Sequence, residues 1–352
     1  MRALPNLYSL RFFLAMTVVL FHIPITSYNI GVPYFNEFPL FNKGLIAVNF
    51  FFSLSGFLII RNFYLNYKNN NKIEIMAFYS RRIRRLLPVY FLVLILGIIL
   101  YHLILPILGI EYRTNYNLLD LCLYYVFLFP NVFNFHFKVG GILNILWSVG
   151  VEEQFYLLFP LLFLLFRKNI KTVLLVLLAV FLGFVFFYSA FYCYRNFYFY
   201  FVLGGMAAVL AEEGKLNFLR YRIINYGILI VFILNFFTDW FIFNNHFISS
   251  HLFHLVISNL FIVSIAYFPL FQFDRLKINY FGQISYGIYM YHMFIVTIYL
   301  YAVKFFKLDE LMDDTLLIII NNCVIIALTL FVAHLSYTYF ERLFYKNRTG
   351  IS

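Results

Sequence analysis

Long apolar runs separated by short polar stretches dominate this chain. Ten segments approach the ~20 consecutive apolar residues a helix needs to cross a hydrocarbon core: 9–28, 44–60, 86–105, 144–166, 172–190, 196–211, 223–243, 251–271, 282–303 and 315–340. An eleventh stretch, 118–135, is weaker, because it carries Asp120, Pro130, Asn131 and Asn134 and its cleanest part is short. Loop charge settles its status, since Lys and Arg gather on the cytoplasmic side of membrane proteins. With the N-terminus inside and 118–135 not crossing, 20 of the 26 basic residues lie inside and six outside; if it crossed, each side would hold 13. The pattern therefore predicts an all-α polytopic membrane protein, a bundle of ten transmembrane helices with N- and C-termini cytoplasmic. Residues 118–135 then form a re-entrant or surface segment, tolerated where irregular backbone packs against protein. Short loops, no Gly/Ser- or Pro-rich linker and no 20–50-residue repeat predict a single domain over 1–352.

Composition agrees. The 352 residues are 64% apolar, 23% aromatic and 12% charged, whereas soluble domains hold about 45–50% apolar and about 25% charged residues. That excludes a cytosolic enzyme, a disordered chain and a disulfide-stapled secreted domain. The net charge of +11 would suggest nucleic acid in a soluble protein; here it reflects basic cytoplasmic loops, so the expected partner is the lipid bilayer and not nucleic acid. Cys122, Cys193 and Cys323 sit in apolar runs without a CxxC spacing. Arg2 followed by an apolar run superficially resembles a signal peptide. No small-x-small cleavage pattern follows, and Arg11 interrupts the run, so it reads as the first span.

Ionisable groups within spans are costly and mark candidate function. Arg11 and His22 are eleven residues apart, about three helical turns plus 20°, so they share a face about 16 Å apart along the axis. The alternative is a snorkelling arginine and a histidine bonded to a neighbouring helix. Glu152 and Glu153 point about 100° apart. Counted from the outer ends of their spans, Glu152 lies about 12 Å deep and His22 about 9 Å. That allows a pair in which the carboxylate orients the imidazole. Arg81, Arg82, Arg84 and Arg85 form a cationic band at a membrane entry, suited to phosphate or to lipid headgroups. Asn49, Ser53, Ser55 and Gly56 bring small and polar residues to a Phe-rich span, a pattern of close helix packing. His292 either lines a cavity or bonds a backbone carbonyl. His246, His251 and His254 lie near an outer loop without an acidic or thiol companion, so no metal site is expected.

Taken in order, these pieces resemble the acyltransferase 3 family of integral membrane proteins. Its Arg-x(10)-His matches Arg11 and His22. Its FFxxSGFLI run matches Phe51 to Ile59, and its FxxRRxxRxxPxY pattern Phe78, Arg81, Arg82, Arg85, Pro88 and Tyr90. Its WSxxxExQFYLLxP block matches Trp147, Ser148, Glu152, Gln154 to Leu158 and Pro160, and its ISYxxYxxH run Ile284 to Tyr286, Tyr289 and His292. Where relatives often carry an acidic residue near the start of the second span's motif, this chain has Asn49.

The resemblance implies an acyl-CoA-dependent O-acyltransferase in the bacterial cytoplasmic membrane. It would move an acyl group, by analogy acetyl from acetyl-CoA, to a hydroxyl of a surface polysaccharide or lipid-linked saccharide. By that analogy Arg11, Arg81, Arg82 and Arg85 hold the donor, and Ser55, Trp147, Tyr286 and His292 line the cavity. His22 is the expected general base, oriented by Glu152; direct transfer and an acyl-histidine carrier both remain open. Some relatives append an extracytoplasmic hydrolase-like domain, so this chain is expected to act alone or with a separate extracytoplasmic partner protein. The alternative function is a transporter or flippase of a lipid-linked glycan, which also needs buried charge and a cavity.

Overall fold

A computed structural model describes residues 4–70, 73–109, 114–187, 195–241, 247–273 and 278–345. Cys193, His246, Arg275 and Lys277 lie outside the described residues. Twelve helices carry the architecture: α1 (Leu7–Ile30), α2 (Gly44–Asn70), α3 (Ile75–Ile99), α4 (Leu118–Val126), α5 (Pro130–His136), α6 (Leu146–Phe166), α7 (Ile170–Phe187), α8 (Tyr198–Glu212), α9 (Arg222–Phe237), α10 (Phe247–Tyr267), α11 (Ser285–Phe305) and α12 (Asp314–Leu335). Among the described residues there is no strand. A helix satisfies its own backbone polar groups, which a bilayer core cannot do for it.

Each of the ten apolar segments overlaps a helix among the described residues. Seven helical runs are long and apolar enough to cross a membrane, one of them, Gly141–Val185, holding α6 and α7, and α8 and α9 are shorter apolar helices. Large apolar side chains face outward along α7, with Leu175 60% and Val176 55% exposed; lipid, not water, suits such a face. The protein is a multi-pass membrane protein.

The 118–135 stretch splits into α4 and α5 of nine and seven residues. These span only about 14 and 10 Å, far less than the ~30 Å hydrocarbon core. Leu128, at φ 65°, makes the turn between them, and its carbonyl accepts Gln154 Nε2 at 2.6 Å. Tyr90 on α3 donates to Tyr125 O at 2.9 Å, tying the segment to the bundle.

Small residues set the tightest contact, between α2 and α8. A Cβ on Gly56 would stand 2.0 Å from Phe201 O, and one on Gly204 would stand 2.1 Å from Ser53 O. The Ser53–Gly56 run is thus a packing seam, while Ser55 on the same helix turns toward a cavity. At the basic end, α2, α7 and α8 are joined by ion pairs, and α10 by a tyrosine hydrogen bond. Arg61 Nε lies 2.5 Å from Glu212, which also accepts Tyr267 OH. Lys171 lies 3.0 Å from Glu213 and holds that carboxyl below the usual range, helped by Tyr64 OH.

Candidate active site

Three chambers lie in file along the bundle axis, and four helices give the same order. Along α1 the lining runs Tyr8, Arg11, His22; along α11 it runs Tyr286, then Tyr289. The antiparallel helices agree, with Ser55 before Val48 read backward on α2 and Glu152 before Trp147 on α6. The first chamber, about 580 Å³, presents Arg81, Arg84 and Arg85 opposite Tyr337, Glu341 and Phe344. The second is a neck of about 60 Å³ lined by Arg11, Ser55, Glu152 and Ser285. The third, about 370 Å³, holds His22, Asn144, Trp147 and Arg195. Tyr286 lines both the first and second, Tyr289 both the second and third. The two end chambers match the about 300–1,000 Å³ of small-molecule sites; the neck does not.

The hydrogen bonds fix the tautomer of His22. His292 Nδ1 lies 2.5 Å from Tyr289 O, a contact only an N–H can make, so Nε2 of the neutral ring is an acceptor. His22 Nδ1 lies 3.1 Å from that Nε2 and 2.9 Å from Val18 O. Facing two acceptors, His22 Nδ1 must carry the proton, which leaves the lone pair on Nε2. The half-buried ring lines the outer chamber. This arrangement leaves His22 Nε2 able to accept a proton, with a second imidazole behind the ring.

The expected His22–Glu152 pair is therefore corrected. Glu152 accepts from Ser55 and Tyr156 and lines the neck, while the imidazole bonds His292. Counting depth from helix ends assumed that both helices start at one surface. Instead α6 starts beneath α5: residues Leu146 to Val151 are buried, and a Cβ on Gly150 would stand 2.6 Å from Pro130. Glu152 consequently shares a level with Arg11, whose buried Nε has no hydrogen-bond partner among the described residues.

Other predicted residues divide by helix face. Arg81 and Arg85 line the first chamber with Arg84, at i, i+3 and i+4. Arg82 is turned about 100° away and stacks over Tyr156 at 4.7 Å and Phe78 at 5.6 Å. Ser55 and Tyr286 line the neck and Trp147 the outer chamber. His292 is fully buried behind His22, so the expectation that it lines a cavity is also corrected. His251 bonds Tyr200 at 2.9 Å and His254 bonds Asn235 at 3.0 Å. Asn49, within 3.4 Å of Tyr200 OH, belongs to that buried polar group. Sequence reasoning quoted Tyr156 and Tyr289 only as motif positions; Tyr156 donates to Glu152, and Tyr289 bonds Ser148 at 2.5 Å. Arg195 it used only as a loop charge, although its guanidinium stacks over Trp147 at 4.7 Å.

A lipid-adapted helical bundle with a file of polar chambers defines a multi-pass membrane protein with an internal site. Residues 5–338 match the family model described as an acyltransferase domain, and the chain belongs to the acyltransferase 3 family. It is 32% identical over 192 residues to the O-acetyltransferase OatA of Staphylococcus aureus, covering 52% of this chain and 29% of that protein. It is also 32% identical over 154 residues to the peptidoglycan O-acetyltransferase OatA of Listeria monocytogenes, covering 42% of this chain and 24% of the relative. The chain thus spans less than a third of the length of these relatives. No solved structure matches it.

Proposed function

We propose that the protein is an acyl-CoA-dependent membrane O-acyltransferase that modifies an extracytoplasmic or lipid-linked saccharide, with acetyl the expected group. The observation that carries this is the pairing of unlike chambers across a neck. One is lined by three guanidinium groups suited to the donor's phosphates; the other is lined by a base and is roomy enough for a sugar. The narrow acyl-pantetheine arm would thread the neck past Tyr286 and Arg11. The acceptor hydroxyl would enter the outer chamber.

His22 Nε2 takes the hydroxyl proton as that oxygen attacks the thioester carbonyl. The carbon–sulfur bond breaks, and the thiolate leaves toward the neck after taking the proton that His22 Nε2 had accepted, which restores the base. General base catalysis of this kind contributes about 10²–10⁴-fold. Glu152, held by Ser55 and Tyr156, counters the charge of Arg11 in the neck. The names of the relatives make peptidoglycan one acceptor to test, and the chain acts alone or with a separate extracytoplasmic partner protein.

Purified protein in nanodiscs with acetyl-CoA and a glycan extract of its host should release free thiol and label the glycan. His22→Ala should lose labelling by at least about 10² with donor binding intact. Labelling by His22→Ala at the parent rate removes the base, and no thiol release by the parent protein leaves the flippase reading. Ten crossings with both termini cytoplasmic predict that, in a cysteine-free background, Lys307→Cys reacts with an impermeant maleimide on intact cells. Lys215→Cys should react only after permeabilisation, and the reverse pattern inverts the topology.

A further inference from the structure

We infer that the neck is an amide-binding site, in which Arg11, Ser285 and Glu152 hold the donor's pantetheine arm by the amide nearer its phosphates. This rests on the acyl-CoA reading and deepens it, since the donor is then recognised along its arm as well as at its phosphates.

The neck carries polar groups that the fold leaves unused. Ser285 is 2% exposed, and its hydroxyl has no hydrogen-bond partner among the described residues; the buried Nε of Arg11 is in the same condition. Glu152 accepts from Ser55 and Tyr156 on one oxygen, Oε1, so Oε2 keeps its lone pairs. All three residues line the neck of about 60 Å³. Two donors and one acceptor around one narrow space complement an amide, whose carbonyl accepts and whose N–H donates. A hydrocarbon there would leave these groups buried without partners, which is costly. A phosphate would meet Glu152 in a space too small to keep like charges apart.

The start of α11 is fixed from two sides. Tyr286, next to Ser285, donates to Leu86 O at 2.8 Å, and Leu86 follows Arg85 of the first chamber. Gly282 presses on α1, where a Cβ would stand 2.1 Å from Tyr8 O. Ser285 is thereby set between the helix of the arginines and the helix of Arg11 and His22. Arg11 lies about 16 Å from His22 along α1. The cysteamine amide, two methylenes from the sulfur, is too near the thioester to reach that level while the carbonyl is at His22. The pantoyl amide, on the phosphate side of the arm, is the one that meets the neck.

The test is equilibrium binding to the full chain in nanodiscs of CoA and of 3′-phospho-ADP, which has the phosphates without the arm. The thermal midpoint of each unliganded variant is measured alongside. The parent should bind CoA more tightly than 3′-phospho-ADP. Ser285→Ala should weaken CoA about three- to tenfold, the worth of one hydrogen bond, and leave 3′-phospho-ADP within about twofold. Arg85→Ala should weaken both ligands. Because a buried hydroxyl without a partner costs stability, Ser285→Ala should melt at or above the parent's midpoint. Equal binding of CoA and 3′-phospho-ADP by the parent overturns the subsite while the acyl-CoA reading stands. So does a Ser285→Ala variant that binds CoA like the parent, weakens both ligands alike or melts lower. No binding of CoA by the parent overturns the acyl-CoA reading and the subsite with it.

Discussion

At the residue scale, the proposed chemistry turns on which nitrogen of His22 holds its proton. His292 accepts from His22 Nδ1 and is itself fixed by Tyr289 O, so in the proposed mechanism it acts through another ring as a positioning residue. His292→Phe should lower kcat by about 10²-fold or more, the low end of base catalysis, while the KM for acyl-CoA stays within a few-fold. A merely structural role would lower protein yield and leave the kcat of the surviving enzyme near normal. The arginines separate by the same logic. Arg84→Ala should raise donor KM about tenfold or more, the loss of one charge-assisted contact, in step with Arg81→Ala and Arg85→Ala. Arg82→Ala removes a stack on Tyr156 and should change kcat more than KM. Steady-state kinetics on the four single variants checks this. Part of the pattern was legible in the sequence, because Arg81, Arg84 and Arg85 already share a helical face. The His22–His292 contact was not, because it joins residues 270 apart, and no local periodicity encodes which distant helix arrives.

At the element scale, the bundle depends on close approach where side chains are smallest. Gly56 faces the backbone oxygen of Phe201, which cannot rotate aside as a side chain would. Gly56→Ala should therefore destabilise the protein by about 1–3 kcal/mol or more, the cost of overpacking, seen as a lower thermal midpoint in detergent. Gly183 on α7 has nothing within 4 Å of the position a Cβ would take. Gly183→Ala should be neutral or stabilising by up to about 1 kcal/mol, which makes it the control. The all-helical membrane architecture could be read from sequence because apolarity is a local property. The break of 118–135 was signalled by Pro130 and the Asn residues, but its consequence was not. By covering the start of α6, it lowers Glu152 from the level of His22 to that of Arg11.

At the scale of the whole molecule, the proposed reaction, with its donor on one side and its acceptor on the other, must keep water from the thioester until the acceptor is seated. The neck provides that separation, and Tyr289 is its upper wall, bonded to Ser148 at 2.5 Å and to Ile145 O at 3.2 Å. Tyr289→Ala would merge the 60 Å³ neck with the 370 Å³ outer chamber. Water admitted there would meet the thioester beside the base His22, so hydrolysis would compete with transfer. The expected result is thiol release without acceptor raised about tenfold or more above the parent, together with reduced glycan labelling. Tyr289→Phe keeps the wall and loses only the hydroxyl, so it should stay close to the parent ratio. Measuring thiol released per acyl group transferred distinguishes a wall from a reacting group. If Tyr289→Phe abolishes transfer as completely as Tyr289→Ala, the hydroxyl itself takes part in the chemistry. If instead only the alanine variant uncouples, the tyrosine serves by filling space between two chambers that must not communicate freely.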